Sequence, residues 1–549
     1  MTNQKSSFYE NMWVHLPNIL AIVAIVFCIT LRIVPAYLLG VPFLPDPWVH
    51  IGKADEILQS GFFNIWGDYD DHWPGLNVLV SLLALFTGVD PIVLGQYVLP
   101  IVCSFALIFF YLLMRHLTGN NTVALVSLLL LGFAAPLTLI MGTTYKEALA
   151  RFFLLAALLA FVIRNPKDLA HVLPVILLVV VIIPVHHVAF LIAGSILVFV
   201  VISLQVYNLR IGILTFRPWL WQTVAYLSVF GFAILYFIQF EIFQLLLIDA
   251  RILGIGLAVS FLVLGALNIK RILTPEISPH MKVLLLIVTL GVLSVFLLNF
   301  LAVPAFEYTL LPLNTSFYLL PLMATAVLAG LGFVSLDRVN RHTRIFLSSL
   351  FFALLTMLVF ALVSGRSTLN LILTYRIALF TLAPLAALAG VGVFAYAVAH
   401  RQRIRTVQVL LLVGLLAVLP ATTLAWTHNP FFGYGATVTP PIQASNHWVA
   451  QYSSPSDVVA GDHLFTYYLL YYLKHPASID AGIQLFIWGD TSTNYALAGV
   501  HRYLFDNGFW LASGVQLVII HPDIIEWLTR QPYNALVYNN GEVQIFRRL

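Results

Sequence analysis

The sequence predicts a polytopic α-helical membrane protein that ends in a small α/β domain outside the membrane. Of its 549 residues, 61% are hydrophobic and only 9% are charged, which is far from the composition of a soluble domain. Apolar stretches long enough to cross a bilayer recur through residue 425, and the composition then shifts. The cysteines, Cys28 and Cys103, both fall inside apolar stretches, so we expect no disulfide framework.

About thirteen transmembrane helices follow from the lengths of the apolar runs. They are predicted near residues 15–38, 92–116, 120–141, 145–163, 169–184, 187–206, 219–240, 250–268, 282–303, 316–335, 345–363, 375–398 and 407–426. The apolar run at 76–90 is too short to span, so we place it in the outer interface as part of the first outer loop. These segments make up a membrane domain at 1–426.

Basic residues set the predicted orientation. Alternate loops carry lysines and arginines, so we assign these loops and the N-terminus to the cytoplasm. They hold Arg115; Arg164 and Lys167; Arg210 and Arg217; Lys270, Arg271 and Lys282; Arg338, Arg341 and Arg344; and Arg401, Arg403 and Arg405. An odd number of spans then puts the C-terminus outside. We expect a multi-pass protein of the plasma membrane.

The first outer loop, 41–91, concentrates polar residues in a chain that has only 23 acidic ones. Its part at 41–75 contains Asp46, Asp55, Glu56, Asp68, Asp70 and Asp71, together with His50, His72, Trp48, Trp66 and Trp73. This density indicates an outward-facing site. The tryptophans are equally typical of an aromatic belt at the membrane surface.

Asp46-Pro47 predicts a helix start, with Asp46 as the N-cap and proline at the first helical position. The residues that follow place an apolar stripe opposite polar side chains, so we expect this helix to lie in the membrane interface. His50 comes four residues after Asp46 and shares its face of the first turn. Asp46 is compatible with two roles, a helix cap or a catalytic carboxylate.

After the last span, residues 427–440 are rich in Pro, Gly and Thr and predict a linker. Residues 441–549 predict an α/β domain. Its expected strands are 457–461, 515–521 and a hairpin that turns at 539–541; its expected helices are 441–452, 463–474, 491–506 and 523–531.

A carboxylate-rich loop beside cations at a membrane face suits transfer from a lipid-linked sugar phosphate. Acids hold a divalent cation such as Mg or Mn through oxygen ligands, and a cation or arginine balances the leaving phosphate. A carboxylate can also accept the proton of the acceptor. Ion pairs between helices are the structural alternative for the same charged residues. The sequence contains no nucleic-acid motif.

The stretches LRIVP, PDPWVHIGKADEIL and DHWPGLNVLVSLL resemble the first outer loop of the GT-C glycosyltransferases. The resemblance is closest to the catalytic subunits of archaeal and eukaryotic oligosaccharyltransferase. It implies a GT-C fold and transfer of a sugar or oligosaccharide from a polyprenyl-(di)phosphate donor in the bilayer to an acceptor on the outer face. It also implies that Asp46 binds the metal and activates the acceptor.

The family's second acidic motif aligns with GTTYKEALARFF, where Tyr145 replaces the first acid and Glu147 occupies the second position. The resemblance therefore implies Asp46 and Glu147 as catalytic residues and metal ligands. It implies a donor-phosphate contact from Arg376 and a substrate contact from Glu307. From the charged and aromatic residues of the outer loops, we also expect Lys146, His50 and Arg366 at the donor phosphate, and Trp48, Asp70, Asp71 and His72 at the substrate.

One departure bears on the acceptor. Oligosaccharyltransferases carry Trp-Trp-Asp-Tyr-Gly at the start of the outer domain, and this chain has VVAGDHLFTYYLLYY there. We therefore favour a GT-C transferase with another acceptor. Two alternatives are kept: a non-enzymatic transporter or flippase of a lipid-linked or polar substrate, and a true oligosaccharyltransferase acting on protein Asn.

Overall fold

The computed structural model describes residues 2–67, 69–134, 137–138, 141–163, 172–239, 320–363, 368–399, 437–507, 509–511, 516–518, 520–530 and 534–549. Within these ranges the protein is mostly helical, and its strands all follow residue 458.

The N-terminal part consists of helices joined by short turns. They are α1 (Thr2–Leu39), α2 (Asp46–Ser60), α3 (Gly75–Thr87), α4 (Pro91–Thr118), α5 (Asn121–Gly132), α6 (Lys146–Ile163), α7 (Val172–Val185), α8 (His187–Arg210), α9 (Phe216–Ile238), α10 (Leu320–Val334), α11 (Arg341–Val363) and α12 (Thr368–Ala399). A π-helical turn at Leu94–Val98 interrupts α4. Apolar side chains of this bundle form one continuous core.

Three helices in the described ranges are long and apolar enough to cross a membrane: Leu16–Leu39, Pro91–Thr118 and His187–Arg210. Other apolar helices are shorter, among them α3, α5 and α7. The predicted spans at 250–268, 282–303 and 407–426 lie outside the described residues, so the count of thirteen stays a prediction. Every other predicted span overlaps a helix of the structure.

Helices α10 and α12 pack backbone to backbone. A Cβ on Gly332 would lie 1.7 Å from the carbonyl oxygen of Leu388, and a Cβ on Gly392 would lie 2.3 Å from that of Leu328. Only glycine allows this approach, which is the way small residues bring membrane helices together. The contact fixes α12, the helix that carries Arg376.

The first half of helix α2, from Pro47 to Ala54, is buried in protein, while residues 55–60 are partly or fully exposed; its place in the membrane interface stays a prediction. A Cβ on Gly52 would lie 2.2 Å from the carbonyl oxygen of Tyr471 in the C-terminal part, while Ile51 fills the space beside Gly95 of α4. Its buried residues include polar His50 and Lys53 as well as the apolar stripe. Because both faces contact protein, the helix holds its first turn in a defined place between the bundle and the C-terminal part.

The C-terminal part contains a five-stranded sheet made of β1 (Val459–Ala460), β2 (Ala477–Ser478), β3 (Leu497–His501), β6 (Asn534–Asn539) and β7 (Val543–Arg548); β4 (Phe509–Leu511) and β5 (Gln516–Val518) form a separate pair. The order of strands in the sheet is β2-β1-β3-β7-β6. Strand β1 is parallel to β2 and to β3, whereas β7 is antiparallel to both β3 and β6. The helices are α13 (Pro440–Tyr452), α14 (His463–Tyr467), α15 (Ile479–Gly482), α16 (Arg502–Asn507) and α17 (Pro522–Arg530); π-helical turns at Tyr468–Tyr472 and Ile483–Ile487 continue α14 and α15.

The predicted hairpin is present, with Gly541 at φ 91° in its turn. The predicted helix at 491–506 is wrong over Leu497–His501, which forms the central strand β3. All five residues of β3 are buried, so the strand lacks the alternation of polar and apolar residues by which sequence analysis recognises strands. Only its end, Arg502–Asn507, is helical.

Candidate functional site

Asp46 is the first residue of α2, and its carboxylate lies in the first turn. The N-cap position belongs to Pro45, and no side chain makes the cap hydrogen bond there. The predicted cap assignment is therefore one residue off, since Asp46 belongs to the helix itself. A carboxylate in the first turn still interacts favourably with the positive end of the helix dipole.

Hydrogen bonds fix the segment that leads into α2. The hydroxyl of Thr143 donates to the carbonyl oxygen of Phe43, and the hydroxyl of Thr144 donates to that of Gly95. The backbone N–H of Leu44 donates to the hydroxyl of Thr437 at 3.1 Å. The bond from Thr143 to Phe43 ties the segment before α2 to the segment before α6. The other two tie these segments to α4 and to the C-terminal part.

Glu147, the second residue of α6, joins two further helices. Its Oε1 accepts a hydrogen bond from Arg376 Nε of α12 at 2.9 Å. The same oxygen lies 3.6 Å from His186 Nε2, between α7 and α8. The structure therefore brings together two residues that the sequence separates widely, Glu147 and Arg376, and adds His186 to them.

His186 caps α8, because its Nδ1 accepts the backbone N–H of Ala189 at 3.1 Å. Burial lowers the pKa of His186 well below its usual range, and the charges of Arg376, Lys146 and His50 lower it further. The ring is thus neutral, and its proton is on Nε2, directed at Glu147. Lys146 precedes Glu147 at the start of α6, and both residues are buried.

The N-termini of α6 and α8 lie close together in this region. The backbone N–H groups at a helix start carry partial positive charge, and such ends bind phosphate and other anions. Lys146 and Arg376 add two full positive charges at the same place. The arrangement suits a bound anion with carboxylates beside it, which is what transfer of a group from a phosphate requires.

The same residues decide whether a divalent cation fits at Glu147. Within the ranges that the structure describes, no group of three or more His, Cys, Asp and Glu side chains is placed to hold a metal ion. Glu147, one of the two predicted ligands, is already paired with Arg376. These residues do not fit a divalent cation at Glu147.

Several predicted substrate residues have partners within the protein. Asp71 Oδ2 pairs with Lys53 Nζ at 2.9 Å, and both residues are buried. His72 Nδ1 lies 2.9 Å from the carbonyl oxygen of Ile65. Trp48 is 2% exposed and packs in edge contact on Tyr468 and Tyr472, with ring centroids 4.6 and 5.4 Å away. Trp48 therefore belongs to the contact between α2 and the C-terminal part.

Three predicted site residues cannot be placed. Arg366 and Glu307 lie outside the described residues, and for Asp70 only the backbone is described, in the turn Tyr69–His72.

His186, Thr143 and Thr144 were not among the predicted site residues. The spacing Thr144-x-x-Glu147 matches a capping box, which would suggest a purely local pair. In the structure both side chains bond to other helices. The sequence does place His186 between two apolar runs, at a position where a helix can begin.

Comparison with solved structures identifies the fold. The archaeal oligosaccharyltransferase AglB from Archaeoglobus fulgidus, solved with an inhibitory peptide and a dolichol-phosphate, matches with a TM-score of 0.52 at 15% identity, over 90% of this chain and 70% of AglB. The arabinofuranosyltransferase AftD from Mycobacteria matches with a TM-score of 0.50 at 14% identity, over 95% of this chain and 40% of AftD. ArnT from Cupriavidus metallidurans, bound to undecaprenyl phosphate, gives a TM-score of 0.38 at 12% identity over 98% of both chains.

No protein-family profile matches the sequence, and no curated protein matches it at a significant level. The matches to AglB and AftD nevertheless agree on one architecture. The chain has the fold of the GT-C glycosyltransferases.

Proposed function

We propose that this protein is a membrane glycosyltransferase that moves a sugar or oligosaccharide from a polyprenyl-(di)phosphate donor to an acceptor on the outer face of the membrane. The observation that carries the proposal is the Glu147–Arg376 ion pair beside Lys146, where the N-termini of α6 and α8 lie close together. The likeness to AglB, solved with a dolichol-phosphate, supports a lipid-linked donor.

The donor's phosphate binds at the cationic end of this site. Arg376 offers a planar fork of N–H donors, which matches two phosphate oxygens, and Lys146 adds a point charge. The polyprenyl tail remains in the bilayer beside the bundle. The first turn of α2, which carries Asp46, then lies next to the bond between the sugar and the phosphate.

In the transfer step, a nucleophilic oxygen or nitrogen of the acceptor forms a bond to the anomeric carbon of the sugar. The bond from that carbon to the phosphate oxygen breaks, and its electron pair leaves with the phosphate. The Asp46 carboxylate takes the proton of the acceptor, as a general base does. The cations beside Glu147 stabilise the charge that grows on the leaving phosphate.

The test uses the purified protein in lipid nanodiscs and a panel of polyprenyl-monophosphate- and polyprenyl-diphosphate-linked sugars. Lysine cannot reproduce the guanidinium fork, so Arg376→Lys should weaken donor binding about tenfold or more, and Arg376→Ala further. The matched control is Arg547→Lys, because Arg547 also pairs with a carboxylate, Asp457 at 3.1 Å, but lies on β7. Unchanged donor affinity in both Arg376 variants would contradict the proposal.

A further inference from the structure

The carboxylate of Glu147 has its counter-charges within the protein. Its partner Arg376 is bonded through Nε, and the two side chains are only 11% and 23% exposed. Lys146, the preceding residue, is buried, and its charge acts on the same His186 ring as the charge of Arg376 does. Two side-chain cations therefore share the low-dielectric surroundings of one carboxylate, where electrostatic interactions are strong.

His186 faces Glu147 with a proton and not with a lone pair. Its Nδ1 lone pair is used by the backbone N–H of Ala189, so Nε2 carries the hydrogen. Binding a metal through Nε2 would need the other tautomer, in which Nδ1 carries the proton and can no longer accept the Ala189 N–H that caps α8. In this tautomer, His186 offers a hydrogen-bond donor to the Glu147 carboxylate and no lone pair to a metal ion.

We propose that Arg376 and Lys146, and not a divalent cation bound at Glu147, neutralise the phosphate of the donor. In this arrangement Glu147 is a positioning residue: it holds Arg376 by Nε and leaves the terminal Nη1 and Nη2 groups as donors to the phosphate. The inference rests on the proposed function and specifies how its donor is held.

Glutamine separates the two roles of Glu147. Its amide oxygen still accepts the Arg376 N–H, so Glu147→Gln should raise the KM for the donor by only about tenfold, whereas Glu147→Ala should raise it by about a hundredfold. A metal-ligand role predicts similar, near-complete losses in both variants, because an uncharged amide is a poor replacement for a carboxylate on a hard divalent cation. Equal, near-complete losses in both variants would therefore contradict the positioning role.

The deciding experiment does not depend on activity. Mn²⁺ is titrated into wild-type protein and Glu147→Gln in nanodiscs, and bound ion is counted by electron paramagnetic resonance. We expect both proteins to bind the same amount. One Mn²⁺ present in wild type and lost in Glu147→Gln would overturn the inference, even if wild type transfers sugar. If wild type turns over no polyprenyl-linked sugar, the proposed function fails, and the Mn²⁺ comparison still decides the assignment at Glu147.

Discussion

Two ion pairs on α2 have nearly the same length and very different surroundings. Lys53 Nζ lies 2.9 Å from Asp71 Oδ2, and the side chains are 9% and 12% exposed. One turn later, Glu56 Oε2 lies 3.0 Å from Lys474 Nζ, and these side chains are 53% and 48% exposed. The first pair ties the acidic loop to α2, and the second links α2 to the C-terminal part.

The difference shows which contacts hold α2, the helix that begins with Asp46, in place. A buried pair becomes strongly destabilising when one partner is removed, while an exposed pair contributes little. The acidic loop is thus fixed to α2 by charge. The C-terminal part is held mainly by packing, through Trp48 and the close approach at Gly52, and little by the Glu56–Lys474 pair.

Breaking the buried pair should have the larger effect on stability. Lys53→Met leaves the Asp71 carboxylate buried without its partner, so we expect a loss of about 3–5 kcal/mol, measured by thermal or denaturant unfolding in detergent. The double variant Lys53→Met with Asp71→Leu removes both charges and should recover most of that loss. A single variant as stable as wild type would remove the distinction between the two pairs.

Breaking the exposed pair should change stability by only about 0.2–1 kcal/mol, measured as the melting shift of Glu56→Gln. Burial alone would raise the pKa of Glu56, but the hydrogen bond from Lys474 and the charges of Lys474 and Lys53 outweigh it, so this pKa is lowered. The contribution of the pair is therefore complete above the ordinary glutamate pKa of 4.5 and fades as pH falls through the lower folded value. A loss as large as that of Lys53→Met would show that charge holds the C-terminal part.

The sequence predicted what local pattern encodes. Apolar runs marked the helices, Asn540-Gly541 marked the hairpin, and Asp46-Pro47 marked the start of α2 to within one residue. Contacts between residues that are far apart in the sequence could not be predicted. The pair of Glu147 with Arg376 depends on how α6 and α12 pack, and the fully buried β3 carries no alternation that would separate it from a helix.

Family resemblance supplied Arg376 and Glu147 as candidates, but not their bond to each other. The composition of the first outer loop supplied Asp71 and Trp48 as substrate residues, and the structure adds an ion pair at Asp71 and an aromatic contact at Trp48. Buried polar residues satisfy one another in ways that residue type does not reveal. The meeting of helix N-termini is likewise a property of packing, and it is the feature on which the proposed anion site depends.

The most direct test of the central claim is the rate of sugar transfer by Asp46→Asn. Asparagine is tolerated at a helix start, and loss of the charge in the first turn should lower stability by less than about 1 kcal/mol, so the variant should fold and melt like wild type. An amide cannot accept the acceptor's proton, so we expect transfer from the polyprenyl-linked donor to fall about 10²–10⁴-fold. An Asp46→Asn protein that melts normally and transfers sugar at the wild-type rate would contradict the account.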